Sequence, residues 1–247
     1  MICAIYVDFD GCLSDELPGV FMDLEIIQYI RNMNDKAQKD DAIPFIAINS
    51  GRPQPFIEAH AQTMGINHFS VFENGVGIFR FRSSEMEMVI EPKITHDMIL
   101  GFNDLTEKIS KRFKVEKQPG KEYSLTFLLP KNHPKLIEIE KYGMEIITEN
   151  NLPLYIERGL NFINININGI TKGTGLRLAA INEGLNLDEI AMIGDSGGDW
   201  NAMKLSGFSA CPNNAREQIK KKVDYVSPYN LSKGTIDIIE QILEKNK

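Results

Sequence analysis

The sequence predicts an α/β protein, a doubly wound parallel sheet with a smaller α+β domain inserted into it. Three observations lead there. Short apolar runs alternate with helical periodicity at both ends of the chain, the pattern of parallel βαβ units. Two of those runs, far apart in sequence, stop at aspartates and glycines, and ligands of open α/β sheets bind at the carboxyl ends of strands. From about Val76 to Asn168 the pattern changes to alternating strands and two long helices, which marks the insertion.

The 247 residues suffice for a large core domain plus a smaller one. A chain that is 43% hydrophobic and 25% charged buries an ordinary globular core. With 27 basic and 34 acidic residues and a net charge of −7, it lacks the basic footprint of a nucleic-acid binder, so no nucleic-acid partner is expected. No apolar run is long enough to cross a bilayer, and Asp8 interrupts the N-terminus before any signal-like stretch. No membrane partner and a cytoplasmic location are therefore expected. Cys3, Cys12 and Cys211 have neither metal-ligand nor disulfide-framework spacing. Core packing accounts for the apolar stripes, which leaves the oligomeric state open.

The first strand runs through Ala4-Ile5-Tyr6-Val7 into Asp8-Phe9-Asp10-Gly11. Phe9 separates the two acids, so an extended backbone aims both side chains the same way. Neighbouring carboxylates favour a shared proton or a cation. Beside Mg²⁺, an aspartate serves as oxygen ligand or as nucleophile toward phosphorus. A plain strand end with an acidic turn is the alternative. After a connector containing Pro18 and Gly19, Leu24, Ile27, Ile30 and Met33 are spaced for a helix on a sheet, with Asp23 as its N-cap.

A second buried strand, Ile43–Ile48, ends in Asn49-Ser50-Gly51-Arg52-Pro53. A hydroxyl and a glycine ahead of a helix N-terminus make a phosphate cradle, or simply a turn and cap. A third strand, Ser70–Phe72, enters the turn Glu73-Asn74-Gly75. Gly77–Arg82 then alternates like an exposed hairpin strand.

Within the insertion the spacing predicts a helix over about 95–112, and strands around 113–117 and 123–129 with a turn at Pro119-Gly120. It continues with a helix over about 134–150 and strands near 154–157 and 161–168. Asn164, Asn166 and Asn168 share one face of the last strand, opposite the isoleucines. That face reads as exposed, with a substrate pocket as the alternative.

Lys172 opens the next helix, against the unfavourable end of the helix dipole, and so calls for an anion or a partner nearby. The following strand, Ile190–Ile193, ends in Gly194-Asp195-Ser196-Gly197-Gly198-Asp199. If it lies next to the first strand, the two acidic ends converge on one hard cation. Short strands near Ala210-Cys211 and Tyr225-Val226 and an amphipathic helix near 236–243 complete the chain.

Asp8-Phe9-Asp10-Gly11, Ser50-Gly51-Arg52, Lys172-Gly173 and Gly194-Asp195 with Asp199, in this order, resemble the haloacid dehalogenase-type phosphatase superfamily. The Glu73-Asn74-Gly75 turn and the position of the insertion resemble its subgroup with an α/β cap after the third core strand. Ile193-Gly194-Asp195-Ser196 and Ala210-Cys211-Pro212-Asn213-Asn214-Ala215 are similar to phosphoglycolate phosphatase and sucrose-phosphate phosphatase relatives. The resemblance implies a Rossmann-like catalytic core over residues 1–83 and 169–247. It implies a cap over 84–168 that closes on the site and selects the substrate.

It also implies roles. Asp8 would be the nucleophile that forms an aspartyl-phosphate, and Asp10 the acid and then base. Ser50, Gly51 and Lys172 would hold the phosphoryl group. Mg²⁺ would be bound by Asp8, the Asp10 carbonyl and Asp195, with Asp199 as ligand or behind it. Arg52, Asn74, Arg158 and Asn166 are candidates for substrate specificity, as are Asn164 and residues 121–124. The implied reaction is Mg²⁺-dependent hydrolysis of a small phosphorylated metabolite, phosphoglycolate or a sugar phosphate. A sugar-phosphate phosphomutase and a non-catalytic phosphometabolite-binding protein are the alternatives.

Two departures stand out. Gly198 replaces the asparagine usual before the second acid of the fourth motif, which puts metal affinity in doubt, with Asn201 a conceivable substitute. Cys12 replaces a threonine with no direct chemical role.

Overall fold

The computed structural model describes residues 1–15, 20–82 and 85–247. Pro18 and Gly19 of the predicted connector lie outside the described residues. So do positions 83 and 84, where the first domain boundary is expected. By internal contacts the chain divides into two compact units, residues 1–90 with 171–247, and residues 91–170.

The first unit is built on a five-stranded parallel sheet. In chain order its strands are β1 (Ala4–Val7), β2 (Phe45–Ile48), β9 (Ile190–Ile193), β10 (Phe208–Cys211) and β11 (Tyr225–Val226). Their spatial order is β11-β10-β9-β1-β2. β1 sits between β2 and β9, with Val7 opposite both Ile48 and Ile193. Every residue of β1, β2 and β9 is buried, as expected of strands covered on both faces.

Helices α1 (Leu24–Ala37), α2 (Gln54–Met64), α5 (Lys172–Glu183), α6 (Trp200–Met203), α7 (Glu217–Lys220) and α8 (Leu231–Asn246) also belong to this unit. Asp23 caps α1 by accepting from the Glu25 N–H. The buried face of α1 is Ile26, Ile30, Met33 and Asn34, while Leu24 is exposed. Leu24 precedes the first complete turn and points away from the stripe. Asn34 earns its burial by accepting from the Ile46 N–H at 2.8 Å, which ties the helix to β2.

β3 (Ser70–Phe72), β4 (Gly77–Arg82) and β5 (Glu85–Ile90) form an antiparallel sheet. A parallel bridge from Asn49 to Val71 continues the main sheet into β3. The first domain boundary therefore falls at 90/91 rather than 83/84, because β5 pairs with β4 over six residues. The second falls at 170/171, next to the expected 168/169.

The second unit contains α3 (His96–Phe113), β6 (Leu125–Leu128), α4 (Lys135–Glu149), β7 (Leu154–Arg158) and β8 (Phe162–Ile167). Its sheet has the antiparallel order β6-β8-β7. Ile163, Ile165 and Ile167 are buried on one face. The strand expected around 113–117 does not form. Phe113 extends the helical stripe of Phe102, Leu105 and Ile109, Lys114 ends the helix in the left-handed region, and Lys117 makes one isolated bridge to Phe127.

The polar face of β8 is not uniformly exposed either. Asn166 is buried, Asn164 accepts from the Thr126 hydroxyl at 2.7 Å, and only Asn168 is exposed. Lys121, also buried, donates to Thr126 at 2.8 Å. Cross-strand hydrogen bonding takes these side chains out of water.

Candidate active site

The parallel register brings the two acidic strand ends together. Asp8 follows β1 and donates its N–H to the Ile193 carbonyl at 2.9 Å, which sets it beside Gly194-Asp195 at the end of β9. On the other side the Asn49 N–H donates to the Val7 carbonyl at 2.9 Å, so Ser50 leaves the sheet at the same edge. Three segments distant in sequence thus share one end of the sheet.

Lys172 reaches the same place from the first turn of α5. Thr171 caps that helix, accepting from the Thr174 N–H while Thr174 accepts from the Thr171 N–H. Lys172 Nζ lies 2.6 Å from Asp8 Oδ1 and 2.6 Å from Asp199 Oδ1. The anions that its placement calls for are these two carboxylates.

All three groups are almost fully enclosed. Burial by itself would lower the Lys172 ammonium, but Asp199 and Asp8 together hold it above its ordinary value. Burial and the Asp199 charge push the Asp8 carboxyl well above the carboxylate range, with Lys172 opposing them. Asp199 goes the other way: burial would raise it, but Lys172 and donors from Ser196 hold it below its ordinary value.

Asp199 is fully engaged. Its Oδ2 accepts from the Asp195 N–H at 3.1 Å, the Ser196 N–H at 2.9 Å and the Ser196 hydroxyl at 2.9 Å. Its Oδ1 holds Lys172. It acts as the clamp that orients Lys172 and the 195–196 turn.

Carboxylate oxygens of Asp8, Asp195 and Asp199 lie within 4.8 Å of one another, a donor set suited to a hard cation. A divalent ion there would offset the burial and charge that disfavour ionised Asp8. Gly11 makes room for it: at φ +79° its missing Cβ would fall 2.5 Å from Asp195 Cγ. With both oxygens of Asp199 committed, Asp8 and Asp195 are the carboxylates better placed to ligate.

Asp10 does not join that cluster through its side chain. Arg52 Nε donates to Asp10 Oδ2 at 2.7 Å, and Arg52 NH2 donates to Oδ1 at 2.5 Å. Ser50 is buried, and its Oγ accepts from the Arg52 N–H at 3.2 Å. Asn74 lies against Gly51, where an added Cβ would fall 2.6 Å from Asn74 Oδ1. Arg158 and Asn166 both belong to the second unit. Arg158 Nε donates to Glu140 at 2.5 Å, which ties β7 to α4.

Four supporting residues escape a motif reading. Asn49 is fully buried and donates to the Lys172 carbonyl at 3.1 Å. Ser196 binds Asp199 as above. Asn214 donates to the Gly11 carbonyl at 2.8 Å and accepts from the Leu231 N–H at 2.7 Å. Thr235 donates to the Cys12 carbonyl at 3.0 Å. A buried strand-end asparagine in the second motif was the one available signal. The others depend on contacts that sequence spacing does not encode.

A buried lysine between two aspartates, with a third acid beside them at the end of a parallel sheet, is a cluster suited to holding a hard cation. The family model of haloacid dehalogenase-like hydrolases matches residues 101–239. The chain belongs to this family, in the phosphatase superfamily.

Among curated relatives, it is 30% identical over 242 residues to a phosphoglycolate phosphatase from Methanothrix thermoacetophila, covering 98% of this chain and 97% of the relative. It is 27% identical over 232 residues to one from Thermoplasma volcanium, 93% of each chain. A crystal structure from Thermoplasma acidophilum matches at a TM-score of 0.75 and 25% identity, over 100% of this chain and 98% of that one. A haloacid dehalogenase-like hydrolase from Bacteroides thetaiotaomicron shares the fold at a TM-score of 0.77 and 18% identity, over 98% and 100%. No described helix is long and apolar enough to cross a membrane.

Proposed function

We propose that this enzyme is a Mg²⁺-dependent phosphomonoesterase of the cytoplasm that hydrolyses 2-phosphoglycolate, with residues 91–170 contributing to substrate choice. The observation that carries the reading is Lys172 suspended between Asp8 and Asp199, with an Asp195 carboxylate oxygen within 4.8 Å of theirs. Phosphoryl transfer needs positioning and charge stabilisation more than covalent help, and this cluster supplies both. The names of the relatives support the substrate.

Asp8, Asp195 and the main-chain carbonyl of Asp10 would hold Mg²⁺, which when bound neutralises charge on the phosphoryl group and on Asp8. Lys172 balances the phosphoryl oxygens, and Ser50 and the Gly51 backbone bind them. In the first half-reaction an Asp8 carboxylate oxygen bonds to phosphorus as the ester P–O bond breaks. Asp10, protonated, gives its proton to the departing alkoxide. In the second, Asp10 as carboxylate takes a proton from water. The water oxygen bonds to phosphorus, the Asp8–phosphorus bond breaks, and phosphate leaves.

Phosphate release from a panel of phosphorylated metabolites with Mg²⁺, for the wild type and Asp8→Asn, tests this reading. Turnover led by phosphoglycolate and reduced on the order of 10⁴-fold or more in Asp8→Asn is expected. Release that depends on a bisphosphorylated sugar would point to a mutase instead. Binding with no release from any compound would sink the phosphatase reading.

A further inference from the structure

Resting on the phosphatase reading, we infer that Arg52 is a specificity-determining residue: it is a receptor for a carboxylate on the substrate, a place that the Asp10 side chain fills in the substrate-free site.

Arg52 is held in place at three points. Its own N–H is bound by Ser50 Oγ at 3.2 Å, and its carbonyl accepts from the Glu73 N–H at 3.0 Å. Its guanidinium lies over the Phe56 ring, 4.9 Å from the centroid. The turn that grips its carbonyl is itself unusual. Glu73, Asn74 and Gly75 all have positive φ, at 45°, 58° and 99°. Two successive non-glycine residues there are costly, and such strain persists where surrounding structure imposes it, often at functional sites. The Asn74 N–H also donates to the Ser50 carbonyl at 3.1 Å. The strained turn therefore sets the loop from which Arg52 extends.

The head of Arg52 meets Asp10 fork to fork, through Nε and NH2, the geometry a guanidinium offers a planar carboxylate. This pairing conflicts with Asp10's part in the reaction. The fork holds both carboxyl oxygens of Asp10, the group that the proposed reaction uses, so a ligand that takes over the guanidinium would set it free. The pair is also the accessible one: the side chains of Arg52 and Asp10 are 32% and 26% exposed, against 7% for Lys172 and Asp8.

An arginine freed from one carboxylate is least costly to satisfy with another. A phosphomonoester carrying a carboxylate close to its ester oxygen, as 2-phosphoglycolate does, supplies that replacement and releases Asp10 together. A substrate without the carboxylate leaves the Arg52–Asp10 pair intact and the acid engaged.

The test compares kcat/KM for 2-phosphoglycolate and for ethyl phosphate, which carries a methyl group in place of the carboxylate, in wild type, Arg52→Gln and Arg52→Lys. Wild type is expected to prefer phosphoglycolate by about 100-fold or more. Arg52→Gln should bring that ratio within about tenfold, mainly through KM for phosphoglycolate. Arg52→Lys, which keeps the charge and loses the fork, should fall between. A ratio that survives in Arg52→Gln, or equal losses on both substrates, would overturn the carboxylate receptor and leave the phosphatase reading standing. No phosphate release from either compound in the wild type would overturn both.

Discussion

Two ion-pair clusters that start from neighbouring acids, Asp8 and Asp10, behave as opposites. Lys172 with Asp8 and Asp199 is enclosed. Arg52 with Asp10 is partly open to solvent. In the first cluster one cation is shared by two carboxylates, and Asp199 is further bound by two N–H groups and a hydroxyl. In the second, a guanidinium meets a carboxylate with both side chains partly exposed. Buried charges are costly to leave unpaired, so the first cluster keeps its arrangement. An accessible pair exchanges partners at little cost, so the second is suited to change on binding.

Removing the shared cation is the strongest way to break this contrast. Lys172→Met leaves Asp8 and Asp199 facing each other in a dry site, and should lower unfolding stability by about 3–5 kcal/mol. Denaturant unfolding reads this directly. A loss below about 1 kcal/mol would show that the cluster is hydrated after all.

The fourth motif offers a gain instead of a loss. A Cβ at Gly198 would meet only Ser196 Oγ, at 3.6 Å, an ordinary contact, so a side chain can start from this position. If the missing amide is what weakens the metal site, the Mg²⁺ concentration for half-maximal turnover should fall about tenfold in Gly198→Asn. An unchanged requirement would show that Gly198 is no lesion.

The open pair predicts the reverse of the enclosed one in stability. Arg52→Gln should change unfolding free energy by less than about 1 kcal/mol while changing substrate preference as described above. A loss as large as that of Lys172→Met would remove the distinction between the two clusters.

A third cluster lies between these extremes and gives the smallest effect. Glu183 accepts from the Phe69 N–H at 2.7 Å, with His68 Nδ1 at 3.2 Å and Arg80 NH1 at 3.6 Å. Burial alone would raise its carboxyl, but His68, the Phe69 N–H and Arg80 hold it below its ordinary 4.5. A lowered folded value means that ionised Glu183 stabilises the fold above pH 4.5, a contribution lost as pH falls through that lowered value. Glu183→Gln should therefore flatten the fall in melting temperature below pH 4.5. An equally steep fall would assign acid sensitivity elsewhere.

The supports of the site were harder to read from sequence than its reacting groups. The acids after β1 and β9 were legible because two apolar runs, far apart in sequence, both stop at paired aspartates and glycines. Lys172 was legible because a cation at a helix N-terminus opposes the dipole. Asn49 and Asn214 were not, since each acts by donating to a main-chain carbonyl of a distant segment. The strand expected around 113–117 failed because local β-propensity lost to a helical stripe that buries Phe113.

By itself, then, the sequence determined the alternation of strands and helices, the acidic strand ends, and the presence of an inserted unit. Those features are local, carried by periodicity and by residue types within a few positions. Which carboxylate meets which cation was decided only by the tertiary structure. Asp8 pairs with Lys172 across 164 positions and Asp10 with Arg52 across 42, although the two acids are neighbours on one strand end. Strand register and the strained turn at Glu73-Asn74-Gly75 set those partners, and no spacing along the chain encodes either.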